Sequence, residues 1–449
     1  MFRNRGGVHP AYRKGATTAL AIETMPVPKR LAVSTAQHLG APARPVVKKG
    51  DTVAAGQLIA EASGYVSARV HAPAAGTVKA VDDAPALAGR VAAVIEIEPD
   101  GSDRCDASLA PIADWSAAAG RDLVERIAAA GIVGMGGAGF PTAVKLSPPP
   151  GRTIDTLIIN GAECEPFLTS DQRLMEECAE RIWNGTRMMR HILGVKTVRV
   201  AIEDNKPDAI RAMERAMAGA DGDVEIVELP TEYPQGAEKQ LIYSVTQREV
   251  PLGGLPADVG AIVDNVATAA AVCDAVCVGL PLIRRVVTVT GAGVRTPRNL
   301  LAPLGATLRD LVNHCGGLTA AAGKAICGGP MMGLAQPTLD AGMTKTTSGL
   351  LLQPMAEVVQ FSSETCISCG RCVQACPMGL LPCTLSECVE SESYEAAESY
   401  DVLACVECGC CAYECPAHRP LVQHMKQGKA KVTLLRRQRE ALAKAEKKG

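Results

Sequence analysis

Eight cysteines near the C-terminus fall into two runs of one form. CISCGRCVQACP places Cys366, Cys369, Cys372 and Cys376 in C-x2-C-x2-C-x3-C-P, and CVECGCCAYECP repeats it with Cys405, Cys408, Cys411 and Cys415. Three thiolates spaced three apart wrap one cubane, and the fourth, followed by proline, leaves toward the other cluster. By that rule Cys366, Cys369, Cys372 and Cys415 hold one [4Fe-4S] cluster, and Cys376, Cys405, Cys408 and Cys411 hold a second. Zinc also accepts four cysteines, but as C-x2-C pairs and not as four-cysteine runs closed by proline. Cys410 beside Cys411 leaves a choice of register, and Cys383 and Cys388 are substitute ligands in principle. The remaining cysteines read as small buried apolar residues. Two such clusters relay single electrons and make no bonds, so something else in the chain must exchange electrons with them.

A glycine run supplies a second kind of chemistry. GIVGMGGAGFPTAVKL, Gly131 to Leu146, carries Gly134, Gly136 and Gly139 at the spacing of the dinucleotide fingerprint G-x-G-x-x-G. That fingerprint belongs in a turn from strand to helix, with an acid about 20 residues later for a ribose. Upstream, RDLVERIAAAG repeats Leu123, Val124, Ile127 and Ala128 at helical spacing, so the context is wrong. On the far side, Pro141 suits the first turn of a helix over PTAVKL. Glycine amides ahead of a helix start, with Lys145 beside them, suit a phosphate or pyrophosphate.

Positioning such a ligand requires a scaffold. After SPPPG, TIDTLIIN reads as a strand and RLMEECAERIWNGTRMMRHIL as a helix; TVRVAIE, KPDAIRAMERAMAG, DVEIVELP and GAEKQLIYSVTQ continue the alternation. This is the rhythm of an open, mostly parallel α/β sheet, whose ligands bind beyond the carboxyl ends of its strands. There stand NGAECEPF, EDNK and TEYPQGAEK. Asn160 and Asn205 offer amides, Glu163 and Glu165 share a side if their segment is extended, and Tyr233 presents an aromatic face, a set suited to a planar ligand with polar edges. A solvated loop end is the commoner fate of any one of them alone. The linker between the cysteine runs has helical character, which favours a helical ferredoxin variant, and HMKQGKAKVTLLRRQREALAKAEKKG closes the chain as a basic helix. That helix suits anionic lipid, a partner protein or plain solvent.

At 449 residues the chain has room for roughly three domains of ~150 residues. Aromatic residues at 3% and a net charge of -2 give neither stacking platforms nor a basic field for nucleic acid. No window approaches the ~18 apolar residues of a spanning helix, and MFRNRGGVHPAYRKG lacks the apolar core of a signal peptide. A cytosolic setting, free or peripherally bound to a membrane, is expected. Thiols stay reduced there, so 18 cysteines point to metal and not to a disulfide framework.

GMGGAGFPTAVKL, NGAECEP and YPQGAEKQL resemble the flavoprotein subunit of respiratory complex I, which binds FMN and NADH in one cavity. VDNVATAAAV resembles that family's segment closing over the flavin, and VVTVTGAGVRTPRNLLAPLGATLRDLVNHCGG its SLBB β-grasp domain. HLGAPARPVVKKGDTVAAGQLIAEASGYVSARVHAPAAGTVKAV resembles a lipoyl-like sandwich without a lysine at a modification turn, hence a docking domain. In this order the chain resembles the C-subunit family of the Rnf ferredoxin:NAD+ oxidoreductases.

The resemblance implies a multidomain α/β protein: a barrel-sandwich over 1–115, a Rossmann-like FMN/NADH-binding domain over 116–282, an SLBB β-grasp domain over 283–356, an α-helical 2[4Fe-4S] ferredoxin-like domain over 357–425 and a basic tail over 426–449. It implies non-covalent FMN against Gly134, Gly136, Gly137 and Lys145, in a pocket lined by Asn160, Asp264, Asn265 and Thr268. It places NAD(H) near Gly137, Phe140, Glu163, Glu165 and Tyr233. Ala162 and Cys164 stand where complex I has Asp and Ser in NADESEP, and Glu238 is what remains of its GEE segment. The implied activity is hydride exchange between NAD(H) and FMN and single-electron exchange with the clusters, with no catalytic acid or base beyond the cofactors. Membrane and ferredoxin-accepting subunits, coupled to Na+ or H+ movement, would be the partners, and the place the cytoplasmic side of the inner membrane. Two alternatives share these parts: a microcompartment cobalamin reductase, which carries its sandwich domain last, and an electron-transfer scaffold without flavin.

Overall fold

In a computed structural model that describes residues 6–446, the alternation after residue 153 forms one parallel sheet. The extreme ends of the N-terminal domain and basic tail expected above, residues 1–5 and 447–449, lie outside the described residues. The strands run in the order Asp223–Leu229, Thr197–Glu203, Thr156–Gly161, Ala261–Asn265, all parallel. Leu157, Ile158 and Ile159 on the first strand are fully buried, as both faces of a covered parallel sheet require. The chain steps outward twice from that strand, then returns to its other side, so strand order reverses between Thr156–Gly161 and Ala261–Asn265. Open α/β sheets bind ligands at such a switch point. Asn160 lies opposite Asn265 in register, and Ile159 opposite Asp264.

The helix Ser170–Leu193 covers this sheet and ends at Gly194, whose φ of 64° is the left-handed cap that glycine supplies at least cost. Upstream, Gly120–Ala129 is the helix expected before the glycine run. The helix expected over PTAVKL is one turn, Thr142–Lys145, with Pro141 at its N-cap. A single turn has little dipole, so it lends the loop less positive field than a full helix would.

Two small antiparallel sheets make the sandwich: Leu31–Ser34, Val91–Pro99, Gly76–Pro85 and Thr52–Val53 in one, Arg44–Pro45, Leu58–Glu61 and Val70–His71 in the other. Val33, Val53, Ile59, Val78, Ile95 and Ile97 fill it, each fully buried. A six-stranded mixed sheet follows, from Ile22–Thr24 through Arg298–Pro303, Arg284–Thr290, Gly349–Pro354 and Ala322–Cys327 to Leu334–Ala335. Its helix Leu308–His314 starts on a reciprocal capping box between Thr307 and Asp310. One edge strand, Ile22–Thr24, comes from the N-terminal region and pairs in parallel with Asn299–Leu301. These three sheets belong to one compact unit, Tyr12–Leu229 with Pro256–Val358.

The other unit takes the chain up to Ala11, Pro230–Leu255 and everything from Val359 onward. It is helical, with Arg371–Gln374, Pro382–Glu390, Tyr394–Ser399, Cys410–Tyr413 and the long Leu421–Glu446. That last helix is continuous across residue 425, and Met425 and Val432 on it are buried in the core of this unit with Leu385 and Val402.

Close helix packing in the first unit rests on Gly185, where a Cβ would collide with the Ala269 carbonyl and come within 3.2 Å of its Cα. Both are backbone atoms and cannot swing aside. Gly185→Ala is expected to cost about 1–3 kcal/mol and to lower the melting temperature; an unchanged thermal unfolding curve would show that the two helices separate without penalty.

Candidate functional site

The glycine run folds as a loop pinned at its base by an isolated bridge between Val133 and Pro141, with the Gly134 N–H donating to the Phe140 carbonyl at 2.8 Å. Its underside is tied from three directions. The Met135 N–H donates to Thr268 Oγ1 at 3.0 Å, the Met135 carbonyl accepts from Arg285 Nη2 at 2.9 Å, and the Gly131 carbonyl accepts from Lys345 Nζ at 2.7 Å. Arg285 and Lys345 are both buried. Burial lowers the Arg285 guanidinium to about 10 and the Lys345 ammonium to about 7.

The upper side is open. Gly136, Gly137 and Ala138 are exposed, and their N–H groups meet no acceptor among the described residues. A Cβ at Gly136 would sit 3.0 Å from Asn265 Cβ, whereas nothing lies within 4 Å of one at Gly137. Consecutive free amides, no side chain over Gly137 and buried cations below fit a phosphate-bearing cofactor such as FMN.

The residues at the switch point close on this loop. Asn265 caps the helix Val266–Cys273 through Oδ1, which accepts from the Ala267 N–H at 2.8 Å, and donates from Nδ2 to Asp171 Oδ2 at 2.7 Å. Burial first, then the neighbouring Glu163 carboxylate, raises Asp171 to about 7. Asn160 Oδ1 accepts from the Ala162 N–H at 3.1 Å, and Asp264 Oδ1 from the Asn265 N–H at 3.0 Å. Lys145 Nζ donates to the Val263 carbonyl at 2.8 Å. Gly136, Lys145, Asn160, Asp264, Asn265 and Thr268 are therefore joined around the reversal of the sheet, while Phe140 is half-buried at the loop's far end.

Glu163 and Glu165 do not share a side. Glu163 has a φ of 47°, which breaks the alternation of an extended segment. Its carboxylate caps the helix Ser170–Leu193, accepting from the Asp171 N–H at 2.7 Å and the Gln172 N–H at 3.1 Å. Glu165 turns instead to the loop after Ala322–Cys327, accepting from the Met332 N–H at 2.6 Å and the Met331 N–H at 3.2 Å. Burial raises its carboxyl to about 7 against the lowering effect of those bonds. In EDNK, Glu203 and Lys206 form a fully buried ion pair at 2.8 Å, so only Asp204 and Asn205 of that segment face solvent.

Tyr233 is grouped with the cysteines. It is fully buried, and its hydroxyl donates to the Cys408 carbonyl at 2.6 Å. An open aromatic face is not what it presents. The two cysteine runs curl alike: Ser368 and Gly370 in one, Glu407 and Gly409 in the other, have φ of 55° and 74°, 59° and 85°. They line two cavities. One is walled by Cys376, Cys405, Cys408 and Cys411, the other by Cys366, Cys369, Cys372 and Cys415. Among the described residues no three His, Cys, Asp or Glu side chains form a single-ion site, and each cavity instead receives three thiols of one run and the last of the other. That donor set fits the crossed arrangement of two [4Fe-4S] clusters. Burial pushes the Cys405 thiol up to about 11, so a ligand there must give up a proton as metal enters. Cys410 lines neither cavity; its Sγ faces the Tyr233 carbonyl at 3.9 Å. Cys383 does line the second.

Asp171, Arg285 and Lys345 are absent from the sequence expectations, whereas Cys383, expected as a substitute ligand in principle, does reach a cavity. Asp171 had a local signal, the helix start TSDQ, and Arg285 stands as a charge in the apolar strand RRVVTVT. Lys345 had none.

These parts define a multidomain electron-transfer protein with flavin-type and dicluster domains. Residues 127–274 match the Nuo51 FMN-binding domain, 2–102 the RnfC barrel sandwich hybrid domain, 286–335 the SLBB domain and 358–416 the 4Fe-4S dicluster domain. The chain is 46% identical over 423 residues, 94% of its length and 92% of the relative's, to the C subunit of the proton-translocating ferredoxin:NAD(+) oxidoreductase complex of Clostridium ljungdahlii. It is 41% identical over 433 residues, 96% and 98% of the two lengths, to the C subunit of the Na(+)-translocating ferredoxin:NAD(+) oxidoreductase complex of Acetobacterium woodii. To the C subunit of the ion-translocating oxidoreductase complex of Rhodobacter capsulatus it is 45% identical over 434 residues, 96% and 83%. The chain belongs to the RnfC family, the C subunits of Rnf complexes.

The raised Glu165 carboxyl sets a pH dependence. Between its ordinary value near 4.5 and about 7, the folded chain keeps a proton that the unfolded chain has lost, so stability falls as pH rises through that window. Gln at this position does not titrate. The melting temperature of Glu165→Gln relative to the parent is expected to climb between pH 5 and 8, corresponding to about 1–3 kcal/mol; a difference independent of pH would show that this carboxyl ionises normally.

Proposed function

We propose that this chain exchanges electrons between NAD(H) and a pair of [4Fe-4S] clusters through non-covalently bound FMN, as a peripheral subunit of a membrane assembly that moves Na+ or H+. The observation that carries it is the presence in one chain of an open amide cradle at a sheet switch point and two cavities lined by crossed sets of four cysteines. FMN, when bound, supplies the conversion between the two-electron chemistry of nicotinamide and the one-electron chemistry of a cubane.

In this reading the amides of Gly136, Gly137 and Ala138 hold the phosphate, with Gly134 shaping the loop and Lys145, Arg285 and Lys345 supplying positive potential. Asn160, Asp264, Asn265 and Thr268 set the pocket wall. Gly137 and Phe140 bound the nicotinamide nucleotide side, with Glu163 and Glu165 placing backbone there and Tyr233 supporting the cluster unit. Cys366, Cys369, Cys372 and Cys415 hold one cluster, and Cys376, Cys405, Cys408 and Cys411 the other. Among the described residues no helix is long and apolar enough to cross a membrane, so partner proteins would provide the ion path and the ferredoxin contact at the cytoplasmic face. The two ferredoxin:NAD(+) relatives differ in the ion they are named for, and both Na+ and H+ stay within the proposal.

The test is the gently purified full chain. It should carry FMN and eight iron atoms by the two-cubane assignment, and reduce ferricyanide with NADH. Absence of FMN with the clusters intact would overturn the flavin reading and leave an electron-transfer scaffold. Gly136→Ala, which presses on Asn265, and Arg285→Met, which frees the Met135 carbonyl, should each lower bound flavin without lowering iron. Cys411→Ala should lose one cluster while Cys410→Ala keeps both; the reverse outcome would move the register by one residue.

A further inference from the structure

The two cysteine cavities differ in their charged walls. The cavity of Cys366, Cys369, Cys372 and Cys415 is also lined by Arg419, four residues after Cys415, and by the exposed Glu387. Arg419 is 4% exposed. Its terminal nitrogens are engaged away from the thiols: Nη1 donates to the Glu364 carbonyl, and Nη2 to Ser386 Oγ at 3.0 Å and to the Glu390 carboxylate. Its Nε is buried and meets no acceptor among the described residues. Leaving a buried guanidinium N–H without a partner is costly, so an acceptor belonging to whatever fills the cavity is expected there.

Among the described residues that line the other cavity there is no matching cationic donor. Glu407 lines it, and Lys429 pairs with that same Glu407 at 2.5 Å and with the Cys405 carbonyl at 2.8 Å. Lys429 and Glu407 are equally exposed, at 27% each, so their charges largely offset one another. The Arg419 pair is lopsided: its side chain is 5% exposed and that of Glu390 30%. The cation lies deeper and is less screened. His424, which reaches Ser386 Oγ through Nδ1 at 2.8 Å and stands 3.9 Å from Glu390, completes the polar groups around it.

We propose that Arg419 is a tuning residue for the cluster held by Cys366, Cys369, Cys372 and Cys415, donating its Nε–H to a sulfur of that cluster and raising its potential above that of its neighbour. Reduction adds negative charge to a cubane, and both a donated hydrogen bond and a buried cation stabilise the reduced form more than the oxidised one. The two clusters thus differ in potential although their cysteine spacings are identical. This inference rests on the ligand sets proposed above.

The test is a redox titration of the full-length protein followed by electron paramagnetic resonance, with iron and sulfide counted on every sample. The parent should show two reduction midpoints. In Arg419→Gln the higher should fall toward the lower, which stays where it was. In Glu390→Gln, which leaves the Arg419 charge unpaired, that same midpoint should rise. Both shifts should be confined to the cluster lost in Cys415→Ala. Intact clusters with neither midpoint moved, or with both moved together, would overturn the role of Arg419. Failure of the parent to bind eight iron atoms, or loss of the same cluster in Cys415→Ala and Cys411→Ala, would instead overturn the ligand sets. If Arg419→Gln does not fold, Glu390→Gln and Arg419→Lys decide the matter: an unmoved upper midpoint in both rejects the proposal.

Discussion

The flavin-side unit depends on two buried cations that hold backbone carbonyls. Lys345 and Arg285 reach under the glycine loop and fix the carbonyls of Gly131, just after the helix Gly120–Ala129, and of Met135, where the loop begins. An ammonium buried without a carboxylate costs several kcal/mol, and the fall of Lys345 to about 7 expresses that cost. The carbonyl dipoles of Gly131 and Arg69, at 2.7 and 2.5 Å, recover part of it. The rest is a standing positive potential beneath three outward amides. An anion seated on those amides would complete the balance, which ties the proposed phosphate seat to the shape of the loop.

That source was invisible in the chain order. Arg285 and Met135 are 150 residues apart, and Lys345 and Gly131 are 214 apart. Short-range features were legible: cysteine spacing, the helix before the glycine run, and the alternation of strand and helix from Thr156 onward all rest on periodicities of a few residues. Asn160 was legible as the end of a predicted strand, whereas Asp264 and Asn265 came only from the family resemblance, the strand Ala261–Asn265 carrying no prediction of its own. What failed did so for stated reasons. Glu163 and Glu165 looked like partners because an extended segment was assumed, and a single left-handed residue sends one to a helix start and the other to a distant loop. Tyr233 looked like an open aromatic because its segment follows a strand of the parallel sheet, yet its contacts lie with Cys408 and Cys410.

The cysteine unit shows how a repeated motif becomes two unlike sites. Matching left-handed residues at Ser368 and Glu407, and at Gly370 and Gly409, curl both runs the same way, so the backbone is close to symmetric. Symmetry ends at the surrounding helices. Leu421 opens the long helix and is buried in one cluster with Cys372 and Cys411, one cysteine from each run. Farther along, Arg436 and Arg439 converge on Glu398 of the helix Tyr394–Ser399. The first half of the basic segment is therefore part of the scaffold that fixes the cavities. Beyond Arg439 the exposed residues 440–444 are left to meet a lipid or a partner.

The departures at Ala162 and Cys164 become less consequential once the backbone is followed. Ala162 is fully buried and acts through its N–H, which donates to Asn160 Oδ1 and fixes that amide. The carboxylate of Glu163 caps the helix Ser170–Leu193, and Asp171, the second residue of that helix, meets Asn265 instead. Polar side chains around the reversal are thus engaged mostly by nearby backbone groups, with Asn265 and Asp171 paired side chain to side chain. A cofactor entering here meets outward backbone amides first and preset side chains second. Preorganisation of that kind depends on the loop and the buried network holding their shape.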